Sequence, residues 1–586
     1  MTLIRTARCR CLPRQIGGLL LALLFAPAVA GASPRDELLR FVPDDVTFGL
    51  VVQDIRAHTT PLQAMLGDEP VPPAAFWQAL VALPPEILAE VKRQEKLLSD
   101  LDLGITPRQF LTDIVGDAVV FAYRKGKPEK PEQEQGMLLT WAREPKLMGI
   151  VMDRVNAYQK RSGELEEVRE LSFKEEKYYR RVRKGDGKDD EFYFLRGNVF
   201  CFCTSEALIQ EALRSAAAAV KVPPLSLRLE RLGVDRAFFT WWLNPRSFDA
   251  ELAAHEAKAQ GAEQVFLRHF LSYWKATDGI AFFMSGDDAQ AEMGLALRVR
   301  KEQLPTAAQR FLAEASRPSP LWQVIPEDAL FAVAGRFEAP AFLEVAEGFL
   351  NEQTRQVMRA AMSAGLTALS LARSDLPTLA TGLGPDWAFW VFGPAAEALP
   401  KTWSPQLLLA VRVREGADGK RAQGALLDLL QGAAAVVCAA SKGQIIPEKD
   451  RDGEVDIRYL VGEKFPPGLR PAYAAKGGYF LVAGDPETIR RFKPPSGEAK
   501  PSEETPLLRI SVKGWLNYLQ QNRAALASYF ASLQETAPQA IDLALEKVIA
   551  DLTNTKVDRL EVVIRSQAAD QAALTIRLKG SGPPKK

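Results

Sequence analysis

The chain has 586 residues, with 74 Lys and Arg, 73 Asp and Glu and only three histidines (His58, His255 and His269). At about 100–200 residues per domain this length allows three to five domains, and 47 % hydrophobic with 25 % charged residues excludes wholesale disorder. Removing the four arginines of residues 1–30 leaves 70 bases against 73 acids, a net charge of −3 that supplies no bulk attraction to nucleic acid; the histidine count also disfavours a multi-histidine metal site.

Residues 1–30 read as a secretory signal peptide. Arg5, Arg8, Arg10 and Arg14 precede the apolar run Ile16–Phe25, and Ala28-Val-Ala30 places small residues at −3 and −1 of a cleavage site. Pro27 interrupts the run short of the roughly 20 residues that span a bilayer, and nothing later reads as a transmembrane helix. The expectation is a secreted or periplasmic protein whose mature chain begins at Gly31 or, by the alternative cut after Ala32, at Ser33.

Within 35–300, Thr47–Gln53 alternates as a strand, and Pro73–Leu101 is helical with a break at Pro84–Pro85. Asp117–Tyr123 and Gly136–Trp141 form a hairpin, and Pro145–Lys160 an amphipathic helix. Tyr178–Val182 and Glu191–Leu195 flank the turn Lys184–Asp190, and strand Val199–Cys203 leads to a helix capped by Ser205. Arg236–Leu243, a helix from Ser247 to about Trp274 and a hairpin turning at Gly286-Asp-Asp288 complete this half. Residues 301–324 hold a short helix near Ala307–Ala315 and the linker Ser316–Pro320; Lys493–Ser502 is a loop by composition, and 581–586 a disordered tail.

The order of strands recurs in 325–580. Phe41-Val-Pro-Asp-Asp45 with Thr47–Val52 matches Val324-Ile-Pro-Glu-Asp328 with Leu330–Val333, Gly116–Phe121 matches Pro385–Trp390, and Met137–Trp141 matches Leu407–Val411. Gly197–Phe202 matches Gly477–Val482, Asp278–Met284 matches Asp558–Ile564, and Gly294–Val299 matches Ala573–Leu578. Hairpins outnumber strand–helix crossovers, so the expected class is α+β: two tandem, internally duplicated halves of mainly antiparallel sheet with packed helices. Val199–Cys203 and its counterpart are apolar on both faces, as a strand covered on both sides would be.

The signal peptide, the opening Leu39–Asp54, Gly116–Tyr123, Glu132–Gly136 and Phe465-Pro-Pro-Gly-Leu469 together resemble large secreted proteins of planctomycete bacteria, a family of unknown function. The resemblance implies a bacterial envelope or extracellular setting. It brings no catalytic residues with it.

Motifs for chemistry are sparse. The sequence has no G-x-S-x-G, H-E-x-x-H, phosphate-binding loop or C-x-x-C. His255-Glu256 lacks a second metal ligand, and Ser272-Tyr-Trp-Lys275 matches S-x-x-K at a helix end without partner motifs. His58 has no counterpart in the second half, and Asp186–Asp190 and Asp287–Asp288 read as polar turns rather than calcium loops. Tyr178–Arg183 could face a polyanion or glycan, or equally form an ordinary hairpin strand; Trp241 and Trp242 should divide between surface and core. Of the three mature cysteines, Cys201 and Cys203 read as buried thiols, with a bridge from Cys438 to one of them as the alternative. No catalytic, cofactor-binding or metal residue is assigned, and no cofactor or nucleic-acid partner is expected. The expected role is a non-catalytic binding or structural protein of the cell envelope that takes an envelope protein, a glycan or an apolar ligand in a groove between the halves. The alternatives are a hydrolase with a non-standard site and a carrier of an apolar ligand.

Overall fold

The computed structural model describes residues 33–55, 110–126, 133–185, 189–218, 222–286, 290–368, 376–394, 403–499, 502–554, 557–566 and 570–580. The expected signal peptide, His58, the helix at 73–101, Asp287–Asp288 and the tail lie outside them, as do residues 186–188 of the turn Lys184–Asp190.

Helices and antiparallel sheet make up the fold. The strands of the first half are β1 (Phe48–Gln53), β2 (Ala118–Arg124), β3 (Gln135–Trp141), β4 (Leu165–Phe173), β5 (Glu176–Arg183), β6 (Glu191–Arg196), β7 (Val199–Cys203), β8 (Phe239–Leu243), β9 (Thr277–Gly286) and β10 (Gln290–Val299). Those of the second are β11 (Phe331–Arg336), β12 (Leu383–Phe392), β13 (Gln406–Val413), β14 (Ile445–Asp452), β15 (Val455–Gly462), β16 (Ala472–Lys476), β17 (Tyr479–Ala483), β18 (Glu504–Ser511), β19 (Val557–Arg565) and β20 (Gln571–Gly580).

All pairings between these strands are antiparallel and join them in one continuous sheet. Inward from one edge the order is β4-β5-β6-β7-β3-β2-β1-β8-β9-β10. Inward from the other edge it is β14-β15-β16-β17-β13-β12-β11-β18-β19-β20. Each step has its counterpart ten strands later. The two runs meet where β10 pairs with β20, from Gln290 opposite Lys579 to Arg298 opposite Gln571.

Cross-strand partners point to the same side of the sheet, so the registers define two faces. One is covered. Val51, Val120, Leu139, Cys201, Phe194 and Trp242 point into it and pack under the helices Pro34–Leu39, Glu206–Ala217 and Pro224–Arg231. In the second half Ala334, Ala388, Ala410 and Leu481 do the same under Leu321 and Ile489. Strand β7 is also covered on its other side, where Phe200 packs with Met148 and Val151 of the helix Pro145–Arg161.

The registers correct the sequence matches by one residue at two strands, and by two at a third, where Gly294 corresponds to Thr575 rather than Ala573. Val51 pairs with Val120 and Ala334 with Ala388, so Val120 corresponds to Ala388, whereas matching Gly116–Phe121 to Pro385–Trp390 equates Ala388 with Val119. Met137 likewise corresponds to the buried Leu408, not to Leu407. A one-residue slip moves every side chain to the opposite face, and strings of apolar residues on both faces hide such a slip from sequence comparison.

Three further differences have local causes. The helix expected from Ser247 to Trp274 is two helices, Asp249–Lys258 and Gly261–Ala276, because Ala259 and Gln260 are extended and Gly261 takes φ +59°. Strand β4 is not among the expected elements; it is an edge strand with charged side chains on both faces, so it has no alternation to detect. The segment expected to be a linker is packed: Ser319 is buried and donates to Asp386, and the Ser316 carbonyl accepts from Thr505.

Gly116 enters β2 at φ +73° beside Trp141, and a Cβ there would lie 1.6 Å from the Trp141 carbonyl oxygen. Gly116→Ala should therefore cost more than about 2 kcal/mol, read as a lower urea midpoint of unfolding.

Candidate binding face

The second face of the sheet is apolar and, among the described residues, exposed at its central strands. In an antiparallel sheet with one face covered, the other is ordinarily polar. At the centre of this sheet the pattern is reversed. Strand β20 buries Thr575 and Arg577 while showing Leu574 (47 % exposed) and Ile576 (37 %). Strand β10 buries Glu292, Gly294 and Ala296 and shows Leu295 (42 %), the direct partner of Leu574.

The registers extend this band to both sides. From β1, Phe48, Leu50 and Val52 point into it; from β2, Val119, Phe121 and Tyr123. From β19, Leu560, Val562 and Ile564 join it, and from β12, Phe389 and Val391. Most are half-buried. The rings pack together: Phe48 stacks on Tyr123 at 4.8 Å and approaches Phe121 at 5.9 Å and Trp241 at 6.4 Å, and Phe239 meets Phe282 at 6.2 Å. Of the tryptophan pair, Trp242 is buried on the covered face and Trp241 stands 37 % exposed on the open one.

Helices wall this band. Pro145–Arg161 covers it at β6 and β7, and Ala417–Ala440 lies over β13 to β16, where Gln431 accepts from Arg458 at 2.6 Å. Tyr518 and Leu526 of Val512–Gln534 pack beside Val391. From Pro145–Arg161 to the strand before Val391, strands β3 to β11 number ten in the pairing order, so the apolar floor is about 45 Å wide at about 4.8 Å per strand. Patches of this extent are uncommon on monomers, where the largest is about 300–600 Å².

Charge is concentrated instead on the covered face at the β10–β20 junction. Glu292 of the first half accepts from Arg577 at 2.8 Å and Arg565 at 2.7 Å; Glu504 accepts from the same two arginines at 2.7 and 2.9 Å. Burial pushes the Glu292 carboxyl up, but the two guanidiniums outweigh it and hold the group below its ordinary range. The Arg577 hydrogen bond leads the causes that bring Glu504 down to about 2.

The residues singled out in the sequence do not converge on a reactive centre. The Ser272 hydroxyl donates to the His269 carbonyl at 2.6 Å within its own helix, so it is engaged away from Lys275. His269 lies against Tyr273 and Phe349, and burial lowers its pKa. His255 is an exposed partner of Glu263. In Tyr178–Arg183, Tyr178 is buried and donates to Glu206, Arg181 is buried against Asn156 and Glu191, Arg180 pairs with Asp190 and Arg183 with Glu191, so this segment is not an open basic patch. Cys201, Cys203 and Cys438 are all free; the first two are buried in β7 and Cys438 stands on Ala417–Ala440 in the other half, which removes the expected alternative bridge. Burial pushes the Cys201 thiol well up, as in an inert core cysteine. Among the described residues no group of three or more His, Cys, Asp or Glu could hold a metal ion.

Sequence reading missed the open face. Its signal was present in strands such as Leu560–Ile564 and Leu574–Leu578, apolar at every second position, but alternation does not say which side is covered.

No protein-family model matches the chain, and no curated protein matches it. Among solved structures, it is similar to three reported as crystal forms of TP0453. Form IV shares 9 % identity over 44 % of this chain and 79 % of that one, with a TM-score of 0.23. Form I shares 10 % over 46 % and 80 %, with a TM-score of 0.21, and form III 10 % over 44 % and 79 %, with 0.22. Scores of this size assign neither fold nor function.

Proposed function

We propose that this is an exported, non-catalytic binding protein of the bacterial cell envelope, and that its ligand is an apolar chain, such as the acyl part of a lipid, laid on the open face of the sheet. The observation that carries this reading is the reversed polarity of β10 and β20, which turn Leu295, Leu574 and Ile576 outward while burying Glu292 and Arg577. A soluble sheet gains nothing from that arrangement unless something apolar covers the outward side. The floor is made of sheet-interior strands whose backbone groups are already paired, so it offers few directional contacts; such a surface suits hydrocarbon better than peptide or glycan. The arginine-rich N-terminal segment and the resemblance to secreted planctomycete proteins support export.

The two halves are, in this reading, copies of one ten-strand unit. The matching pairing order supports it, as does the agreement of buried positions once the one-residue slip is removed. Joining two copies through β10 and β20 doubles the width of the apolar floor.

Dansyl-labelled undecanoic acid, whose emission rises in apolar surroundings, should bind the purified protein saturably and be displaced by oleic acid. Absence of saturable binding would overturn the reading. Hydrolysis of an ester, peptide or glycan, abolished by Ser272→Ala, would put the hydrolase alternative in its place.

A further inference from the structure

Helix Ala417–Ala440 follows β13, as Pro145–Arg161 follows β3, and each lies on the open face beside the edge hairpin of its half. The two differ in what they show to water. Pro145–Arg161 exposes Asp153, Arg154, Lys160 and Arg161. Ala417–Ala440 carries no charged residue between Asp428 and Lys442, and its last turns show Val436 (66 % exposed) and Val437 (40 %) among alanines. By length and composition it is apolar enough to cross a membrane, and little of that apolar stretch is buried in the protein.

We propose that the C-terminal half of this helix docks the protein on a lipid bilayer, lying in the interface rather than spanning it. Its first half is fixed to the fold. Gly419, Ala422 and Ala425 are buried, and Gly419 approaches the Arg414 carbonyl so closely that a Cβ would lie 1.7 Å from its oxygen. The twelve residues Leu429–Ala440 left to engage lipid measure about 18 Å at 1.5 Å per residue, too short for a hydrocarbon core of about 30 Å.

The chemistry of the surface selects the occupant. From Gly432 to Ala440 the side chains are hydrogen, methyl, isopropyl and one thiol, with none of the aromatic or arginine anchors that carry protein–protein interfaces. Exposed Lys442 just past its end sets a cation beside the apolar stretch that reaches headgroup phosphates, whereas Arg421 near its start is paired with Asp418. The helix adjoins the apolar floor, so docking brings that floor next to a source of lipid; this last consequence rests on the binding reading above, while the docking itself does not.

Flotation with phosphatidylcholine vesicles tests it. The wild-type protein should rise with the vesicles. Val436→Asp/Val437→Asp should reduce the floated fraction by about ten-fold or more. The same variant should keep its circular dichroism and its affinity for dansyl-labelled undecanoic acid. Ile150→Asp, an equally exposed site on the counterpart helix, should float as the wild type does. A wild type that stays at the bottom overturns the docking, as does a double variant that floats normally or an Ile150→Asp variant that fails equally. Failure of the wild type to float with probe binding intact refutes docking alone; probe binding absent from the wild type refutes the apolar-ligand reading instead.

Discussion

Leu295→Lys/Leu574→Asp should weaken binding of dansyl-labelled undecanoic acid by about 100-fold or more while leaving the fold intact. The two side chains are direct partners across the β10–β20 pair, and both stand nearly half exposed on the open face. Covering the remaining surface of each leucine is worth about 1–1.5 kcal/mol, and a charge left under a hydrocarbon chain adds a desolvation cost, so the sum exceeds the roughly 2.7 kcal/mol of a 100-fold change. Opposite charges are chosen because they attract across a strand pair, where two aspartates would repel. Exposed substitutions of this kind usually move stability by less than about 0.5 kcal/mol, so circular dichroism and the urea midpoint should hardly change. Unaltered probe affinity in a folded variant would mean that the ligand lies elsewhere.

Glu292→Ala has the opposite profile, a large loss of stability at a position that touches no ligand. Glu292 and Arg577 are both buried, and Arg565 converges on the same carboxylate. Removing one member of a buried ion pair costs about 3–5 kcal/mol where the other charge is stranded; here Glu504 still accepts from both arginines, so the expected loss is about 2 kcal/mol. The cluster is formed across the junction of the two halves, with Glu292 on β10 and both arginines on β19 and β20, so the loss should concentrate there. Hydrogen exchange is the direct measurement: backbone amides of Met293–Leu297 and Ala573–Arg577 should lose protection before those of β7 or β17. Uniform or unchanged protection would contradict a role at the junction.

The same cluster sets an acid limit. Glu504 has its folded-state pKa lowered from 4.5 to about 2, chiefly by the Arg577 hydrogen bond. A carboxyl depressed in the folded state stabilises above its unfolded pKa, and that contribution fades as pH falls from about 4.5 to about 2. Glu292, also lowered, adds in the same direction. Urea midpoints should therefore fall below pH 4.5, and Glu504→Gln should flatten that dependence. The effect of Glu504 alone is moderated by solvent, because its side chain is 39 % exposed.

Much of the local structure was legible in the residues. Strands β1, β2, β3, β5, β6 and β7 and the helix Pro145–Arg161 fall within a few residues of their expected positions, because apolar periodicity and turn chemistry are local properties. So was the double covering of β7, since Val199, Cys201 and Cys203 alternate with Phe200 and Phe202 and no polar face is left for water. Edge strand β4 and the break at Gln260–Gly261 escaped, one for want of alternation and the other because a single positive-φ glycine is invisible to helical periodicity.

The sequence by itself determined the α+β class, the antiparallel hairpins and the lack of a recognised catalytic motif, since each follows from spacing along the chain. Only the tertiary structure decided that the twenty strands among the described residues join in one sheet, that β10 and β20 are its junction, and that Glu292, Arg565, Arg577 and Glu504 meet on its covered side. These residues lie up to 285 positions apart, and no periodicity links them. The open apolar face was settled at the same level. Alternation on a strand fixes which side chains share a face, but which of two apolar faces is covered depends on where distant helices pack, and that is a property of the assembled fold.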